Sequence, residues 1–115
     1  MPLTVTELAT GDVVWVTPGV AVGREQAGRR PALVIAGVDY LETVTTLTIV
    51  VPLTSVDRGW PNHIRVEGSN LAQQTWAMTE QVRTISRDRI VGFAGRANAS
   101  TVHAVRSWVK DFLDL

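Results

Sequence analysis

The sequence predicts a mainly β domain of α+β type, a small curled sheet closed by one amphipathic helix. Apolar residues fall in short runs cut by turn residues, which is a strand pattern. The last stretch changes to a spacing of three and four, which is a helix pattern. With 115 residues, 45% hydrophobic and 19% charged, the chain has an ordinary globular balance and room for one core, so a single domain over residues 1–115 is expected.

Gly11-Asp12 signals a turn ahead of a first strand at 13–16. Residues 23–31 read G-R-E-Q-A-G-R-R-P, a loop whose glycines turn through angles closed to other residues and whose proline fixes the exit. The continuous apolar run 31–36 suits a strand buried on both faces. Over 45–54 the alternation sets Leu47, Ile49, Val51 and Leu53 on one face and Thr46, Thr48 and Thr54 on the other. Pro52 inside that pattern argues for a bulge or an edge. Asp57-Arg58-Gly59-Trp60-Pro61 is a turn, after which Ile64 and Val66 are expected inward and His63, Arg65 and Glu67 outward.

Residues 76–85 form one long strand or two short ones. Strand parity puts Glu80 on the side of Trp76, Met78 and Val82, and Ile85 then falls out of parity, so a bend is expected near Glu80. After Gly95, a cap at Asn98 or Ser100 leads into Val102, Val105, Trp108, Val109 and Phe112, with His103, Arg106 and Lys110 on the other side. The whole is a curled sheet of roughly five to seven strands with a terminal helix.

Composition removes several kinds of chemistry. There is no cysteine, so thiolate catalysis, zinc–cysteine sites and disulfides are excluded. The 11 basic and 11 acidic residues cancel, so a nucleic acid would be drawn by a local patch and not by a global field. Lys110 is the only lysine, and the other basic residues are arginines, whose planar forks suit phosphate. No signal peptide is expected, and the longest apolar run, 47–53, is broken by Thr48 and too short to span a bilayer, so a cytoplasmic protein without membrane contact is expected. His63 and His103 are the only histidines, and His103 falls on the polar helix face. The acids are scattered without metal-site spacing, so neither a metal nor a cofactor is expected. Gly23 and Gly28 lack the context of a phosphate-binding P-loop, which excludes a nucleoside triphosphatase.

Carboxylate, arginine and hydroxyl chemistry remain. Glu25 and Arg30 share one loop, where a carboxylate and a guanidinium can move a proton and hold a phosphate; the alternative is a surface loop whose charges pair with one another. Thr54 ends a strand with its hydroxyl off the apolar face, as a phosphate ligand or as part of a turn with Ser55. Glu80 is either buried with partners or marks the bend. Trp60 is either an exposed platform for a base or a lid over the core.

Five segments together resemble the MazF/PemK (Kid) family of toxin ribonucleases: G-D-V-V-W-V (11–16), G-R-E-Q-A-G-R-R-P-A-L-V-I (23–35), V-P-L-T-S (51–55), R-G-W-P (58–61) and A-M-T-E-Q-V-R-T-I (77–85). The resemblance implies a small SH3-like curled barrel of the CcdB/PemK type with a C-terminal helix, working as a homodimer. It implies a metal-independent endoribonuclease that cuts single-stranded RNA at short sequences through attack of the 2′-hydroxyl, and a MazE-like antitoxin partner whose acidic tail covers the RNA groove. Carried over onto this sequence, the motifs make Glu25, Arg30 and Thr54 catalytic. They place Arg24, Arg29, Ser55, Arg58, Trp60, His63, Glu80 and Gln81 at the RNA. Many relatives have aspartate where Glu80 stands, and some have a catalytic arginine at the position of Met78. A CcdB-like gyrase poison on the same fold would act through exposed residues of the terminal helix such as Trp108, and a catalytically inactive RNA-binding module is a third reading.

Overall fold

The computed structural model describes residues 8–18 and 28–115. In chain order the elements are β1 (Asp12–Val16), β2 (Arg30–Val34), α1 (Val38–Thr43), β3 (Leu47–Thr54), β4 (His63–Arg65), β5 (Trp76–Met78), β6 (Arg83–Ser86), β7 (Ile90–Arg96) and α2 (Ala99–Phe112). Single 3₁₀ turns at Thr79–Gln81 and Arg87–Arg89 separate β5 from β6 and β6 from β7. The expected stretch 76–85 is therefore two short strands, with the bend falling at Glu80.

The seven strands form one antiparallel sheet in the order β4–β5–β3–β2–β1–β7, with β6 also on β3. The sheet curls without closing into a continuous barrel ladder. Ser69 bridges Gly95, and Asn70 N–H donates to the Ala94 carbonyl at 2.9 Å, which draws the two ends together. Gly95 permits that approach: its φ is +86°, and a Cβ there would meet the Asn70 nitrogen at 2.9 Å.

Pro52 lies on the central strand and not at an outer edge, yet the local reason for its tolerance is close to the one expected. On one side Val50, Val51 and Pro52 pair with β2. On the other, β6 covers Leu47–Val50 and β5 covers Leu53–Thr54, so Val51 and Pro52 face the gap made by the 3₁₀ turn. A residue without an N–H fits where the ladder is interrupted.

Both faces of the central strands are buried, and alternate residues serve different cores. Val13, Leu33, Val51 and Leu53 pack with Val66, Ala77 and the Val105–Val109 face of α2. Val14, Val16, Ala32, Val34 and Val50 pack on the opposite face with Leu41 of α1 and Ile85. Full burial of each such valine or leucine stabilises the fold by about 1.5–3 kcal/mol, which explains the near-continuous apolar run of β2. The alternation expected for β3 holds only in its second half. Leu47 is exposed and Thr48 fully buried, because the Val50 face is also core at that end.

α1 was not expected from the sequence. Its six residues follow Gly37, which offers no side-chain cap, and its C-terminal carbonyls are held from outside. Arg87, buried, donates to Leu41 and Val44 carbonyls at 2.7 and 2.8 Å and through Nε to Leu47 at 2.8 Å. α2 behaves as its spacing predicts, with Val105 and Val109 buried and His103, Arg106 and Lys110 exposed, although Phe112 is half exposed at its end. Asn98 occupies the cap position through its backbone: the Val102 N–H donates to its carbonyl at 3.1 Å, and no side-chain cap bond forms.

Candidate functional site

The antiparallel register that sets Ala32 opposite Pro52 runs on toward Arg30 and Thr54 at the strand ends. Residues two apart share a face, so both side chains come to one side of the sheet. There they line a groove of about 1160 Å³, larger than a site for one small molecule and open enough for a chain. Gly28, at φ +86°, turns the backbone into this wall just ahead of the two arginines, a conformation that L side chains rarely adopt.

Arginine dominates the groove. Arg29, Arg30, Arg58, Arg83 and Arg89 all line it, and no aspartate or glutamate does among the described residues. A chain of zero net charge thus gathers a local positive surface, as the composition required of any nucleic-acid binder. Arg29 lies with its guanidinium carbon 4.4 Å from the centre of the Trp15 ring, a cation–π contact that keeps its charge available. Arg89 is fixed by donating through Nε to the Thr17 carbonyl at 2.8 Å. Of its two expected roles, Thr54 takes the one in a turn. Its Oγ1 accepts the Val56 N–H at 3.1 Å in a turn, and the hydroxyl proton is left to donate to an anion. Ser55 and Gln81 line the same groove.

A second cluster stands beside the groove. His63, expected outward, is buried, because β4 turns its first residue under the 57–61 turn toward Glu80. His63 Nε2 lies 3.0 and 3.2 Å from the two Glu80 oxygens, and Asn62 Nδ2 donates to Oε1 at 2.8 Å. Burial raises the Glu80 pKa, but its backbone N–H, His63 and Gln81 together outweigh that and hold the carboxyl below its ordinary value. Glu80 sits at the bend and has partners, but it is exposed and not buried, so the bend is the reading that holds. Trp60 is 49% exposed, with its ring centre 4.7 Å from that of His63. The surface it covers belongs to His63.

The structure thus brings together Arg29, Arg30, Thr54, Ser55, Arg58 and Gln81 in the groove, and sets Trp60, His63 and Glu80 at its side. Glu25 and Arg24 lie outside the described residues. Arg83, Arg89 and Asn62 were missed. The pairing that sets Arg83 opposite Val50 brings in the first of them, and no local sequence pattern announces it. Among the described residues no group of three acidic or histidine side chains could hold a metal ion. Among them, too, no helix is long and apolar enough to cross a membrane.

Fold and site together define a small curled-sheet protein with an arginine-lined groove fit for a polyanion. The sequence model of the PemK-like, MazF-like toxins of type II toxin–antitoxin systems matches residues 9–113, and the chain belongs to that family. It is 33% identical over 76 residues to the endoribonuclease toxin MazF of Escherichia coli K12, a match spanning 66% of each chain. Among solved structures it resembles MazF from Deinococcus radiodurans, with a TM-score of 0.77, 27% identity and coverage of 99% of this chain and 100% of that one. A MazE–MazF structure from the same organism gives a TM-score of 0.77 at 26% identity, covering 94% and 96%.

Proposed function

We propose that this chain is the toxin of a type II toxin–antitoxin pair, a cytoplasmic, metal-independent endoribonuclease that cuts single-stranded RNA at short sequences. The observation that carries the reading is the convergence of Arg30 and Thr54 in a groove lined by arginines and, among the described residues, by no carboxylate. Family membership and the likeness to MazF support it.

The chemistry is intramolecular phosphoryl transfer. The ribose 2′-oxygen loses its proton and bonds to the adjacent phosphorus, the bond to the 5′-oxygen breaks, and the products are a 2′,3′-cyclic phosphate and a 5′-hydroxyl. Arg30 stabilises the extra charge of the five-coordinate phosphorane, a task for a preorganised cation. It serves as an electrostatic partner to the leaving oxygen and not as its proton donor, since guanidinium stays protonated. Thr54 donates its hydroxyl proton to a phosphate oxygen, with Ser55 beside it. Glu25, five residues before Arg30 in the sequence, takes the 2′-hydroxyl proton. Arg29 and Arg58 hold the flanking backbone. The acidic tail of a MazE-like antitoxin would fill the groove by the same charge complementarity, and the active form is a homodimer.

The gyrase-poison alternative needs an exposed working face on α2. Trp108, its best candidate, is half-buried with its ring centre 5.6 Å from Phe112. The test is cleavage of a long single-stranded RNA in excess EDTA, with the ends of the products mapped. Cuts at a short recurring motif with cyclic phosphate and 5′-hydroxyl ends are expected. A folded, antitoxin-free protein that cuts nothing would reject the reading.

A further inference from the structure

Beside the groove lies a polar cluster that the cleavage chemistry above does not use. We infer that His63 and Glu80 are a positioning pair: they fix the 57–61 turn, with Arg58 and Trp60, at the mouth of the groove and so set which bases are accepted, without exchanging protons with the substrate. The inference rests on the ribonuclease reading.

Both oxygens of the carboxylate have partners. Oε1 receives Asn62 Nδ2 at 2.8 Å and lies 3.0 Å from His63 Nε2, while Oε2 lies 3.2 Å from His63 Nε2 and 3.4 Å from Gln81 Nε2. A general base needs a lone pair free to reach the proton it removes and a pKa raised toward neutrality, and Glu80 is held in the opposite direction. It does not line the groove, whereas its neighbour Gln81 does. The imidazole is equally closed. Its side chain is 1% exposed, Nε2 faces the carboxylate, and Nδ1 is buried without a hydrogen-bond partner. No ring nitrogen is placed to meet bound RNA.

What the pair does hold is the turn. The His63 N–H donates to the Trp60 carbonyl at 3.1 Å, and the Trp60 ring rests on the imidazole. Asn62 is tied three times to the 3₁₀ turn, through its side-chain amide to Glu80 and to Thr79 Oγ1, and through its backbone carbonyl, which accepts from Thr79 Oγ1 at 2.8 Å. Within the turn, Gly59 N–H donates to Asp57 Oδ1 at 3.0 Å. Arg58 thereby lines the groove, and Trp60 keeps half its surface open for a base to stack upon. Cutting the Glu80 link frees the turn from the edge that carries Gln81, and base selection loosens while the reacting groups stay in place.

The experiment compares wild type, Glu80→Gln, Glu80→Ala and His63→Ala on an RNA carrying the preferred site and on a library of single-base variants. Glu80→Gln keeps an acceptor oxygen for His63 and Asn62. It should hold kcat within about threefold of wild type, where loss of a general base would cost about 10²-fold or more. Glu80→Ala and His63→Ala should raise KM by about tenfold, leave kcat within about threefold, and cut at sites the wild type rejects. A fall of about 10²-fold in kcat for Glu80→Gln at unchanged KM would overturn the inference, because the carboxylate would then be a reactant. Wild-type site choice and kcat/KM in both alanine variants would overturn it as well. If the folded wild type cuts no RNA, the ribonuclease reading fails separately, and the pair is judged by binding. Relaxed base preference of Glu80→Ala for short oligonucleotides supports positioning, and identical preference overturns it.

Discussion

At the corner where α1 meets β3, Arg87 is buried and donates to three backbone carbonyls, those of Leu41, Val44 and Leu47. In the groove, Arg30 is exposed, and its side chain has no hydrogen-bond or ion-pair partner among the described residues. The same side chain completes a helix end in one region and is left available to a ligand in the other. Arginine content therefore says little about function until each guanidinium is assigned its acceptors. In this chain the arginines that hold the fold and those that meet the groove are different residues, with Arg89 doing both through its bond to the Thr17 carbonyl.

That contrast can be broken by substitution. Arg87→Met leaves three carbonyls without their donor and should cost roughly 3 kcal/mol of stability, seen as a lower urea midpoint, while the folded fraction cuts RNA at the wild-type rate. An unchanged midpoint would mean that the corner does not depend on its guanidinium. Arg30→Ala should do the reverse, losing at least about 10²-fold in kcat with the midpoint moved by no more than about 0.5 kcal/mol. Full activity in that variant would remove Arg30 from catalysis. Neutralising Arg29 and Arg58 together should leave kcat nearly intact and flatten the salt dependence of RNA binding by about 1.4 log units per log of salt, at roughly 0.7 per single-strand contact. A slope equal to wild type would place both arginines off the backbone.

The smallest effect is a pH dependence. The folded-state pKa of Glu80 is depressed, so its contribution to stability is fully present above the ordinary carboxylate range. It is lost as pH falls through the still lower folded value. Between about pH 6 and pH 3, wild type should lose its advantage in melting temperature over Glu80→Gln, by a modest amount because the carboxylate is partly exposed. Parallel curves for the two proteins would count against the His63–Glu80 link.

The strands and the terminal helix were legible because burial imposes a period, and the period survives in the order of residues. β2 was expected as a two-sided buried strand and is one. The residues that escaped the sequence have partners far along the chain. Nothing near His63 announces that Glu80, 17 positions away, will draw its ring inside. Parity misplaced Thr48 in the same way, since a second core on the Val50 face appears only when Leu41 and Ile85 arrive. α1 is short and lacks a capping side chain, and its stabilising cation, Arg87, comes from the 3₁₀ turn after β6. In the groove, the family resemblance implied that Arg30 and Thr54 belong to one site, and both line it, but Arg83 and Arg89 joined them through strand pairing that no local pattern encodes.

The near absence of lysine also has a practical consequence. Lys110 supplies the chain's only side-chain amine, on the exposed face of α2 and away from the groove-lining residues. A dye, biotin or solid support joined to that side chain sits on the helix without covering an arginine of the groove, the α-amino group being the other amine that such reagents meet. Immobilised or fluorescent protein for RNA-binding work follows from the natural sequence, with no cysteine to introduce and no tag near the substrate path.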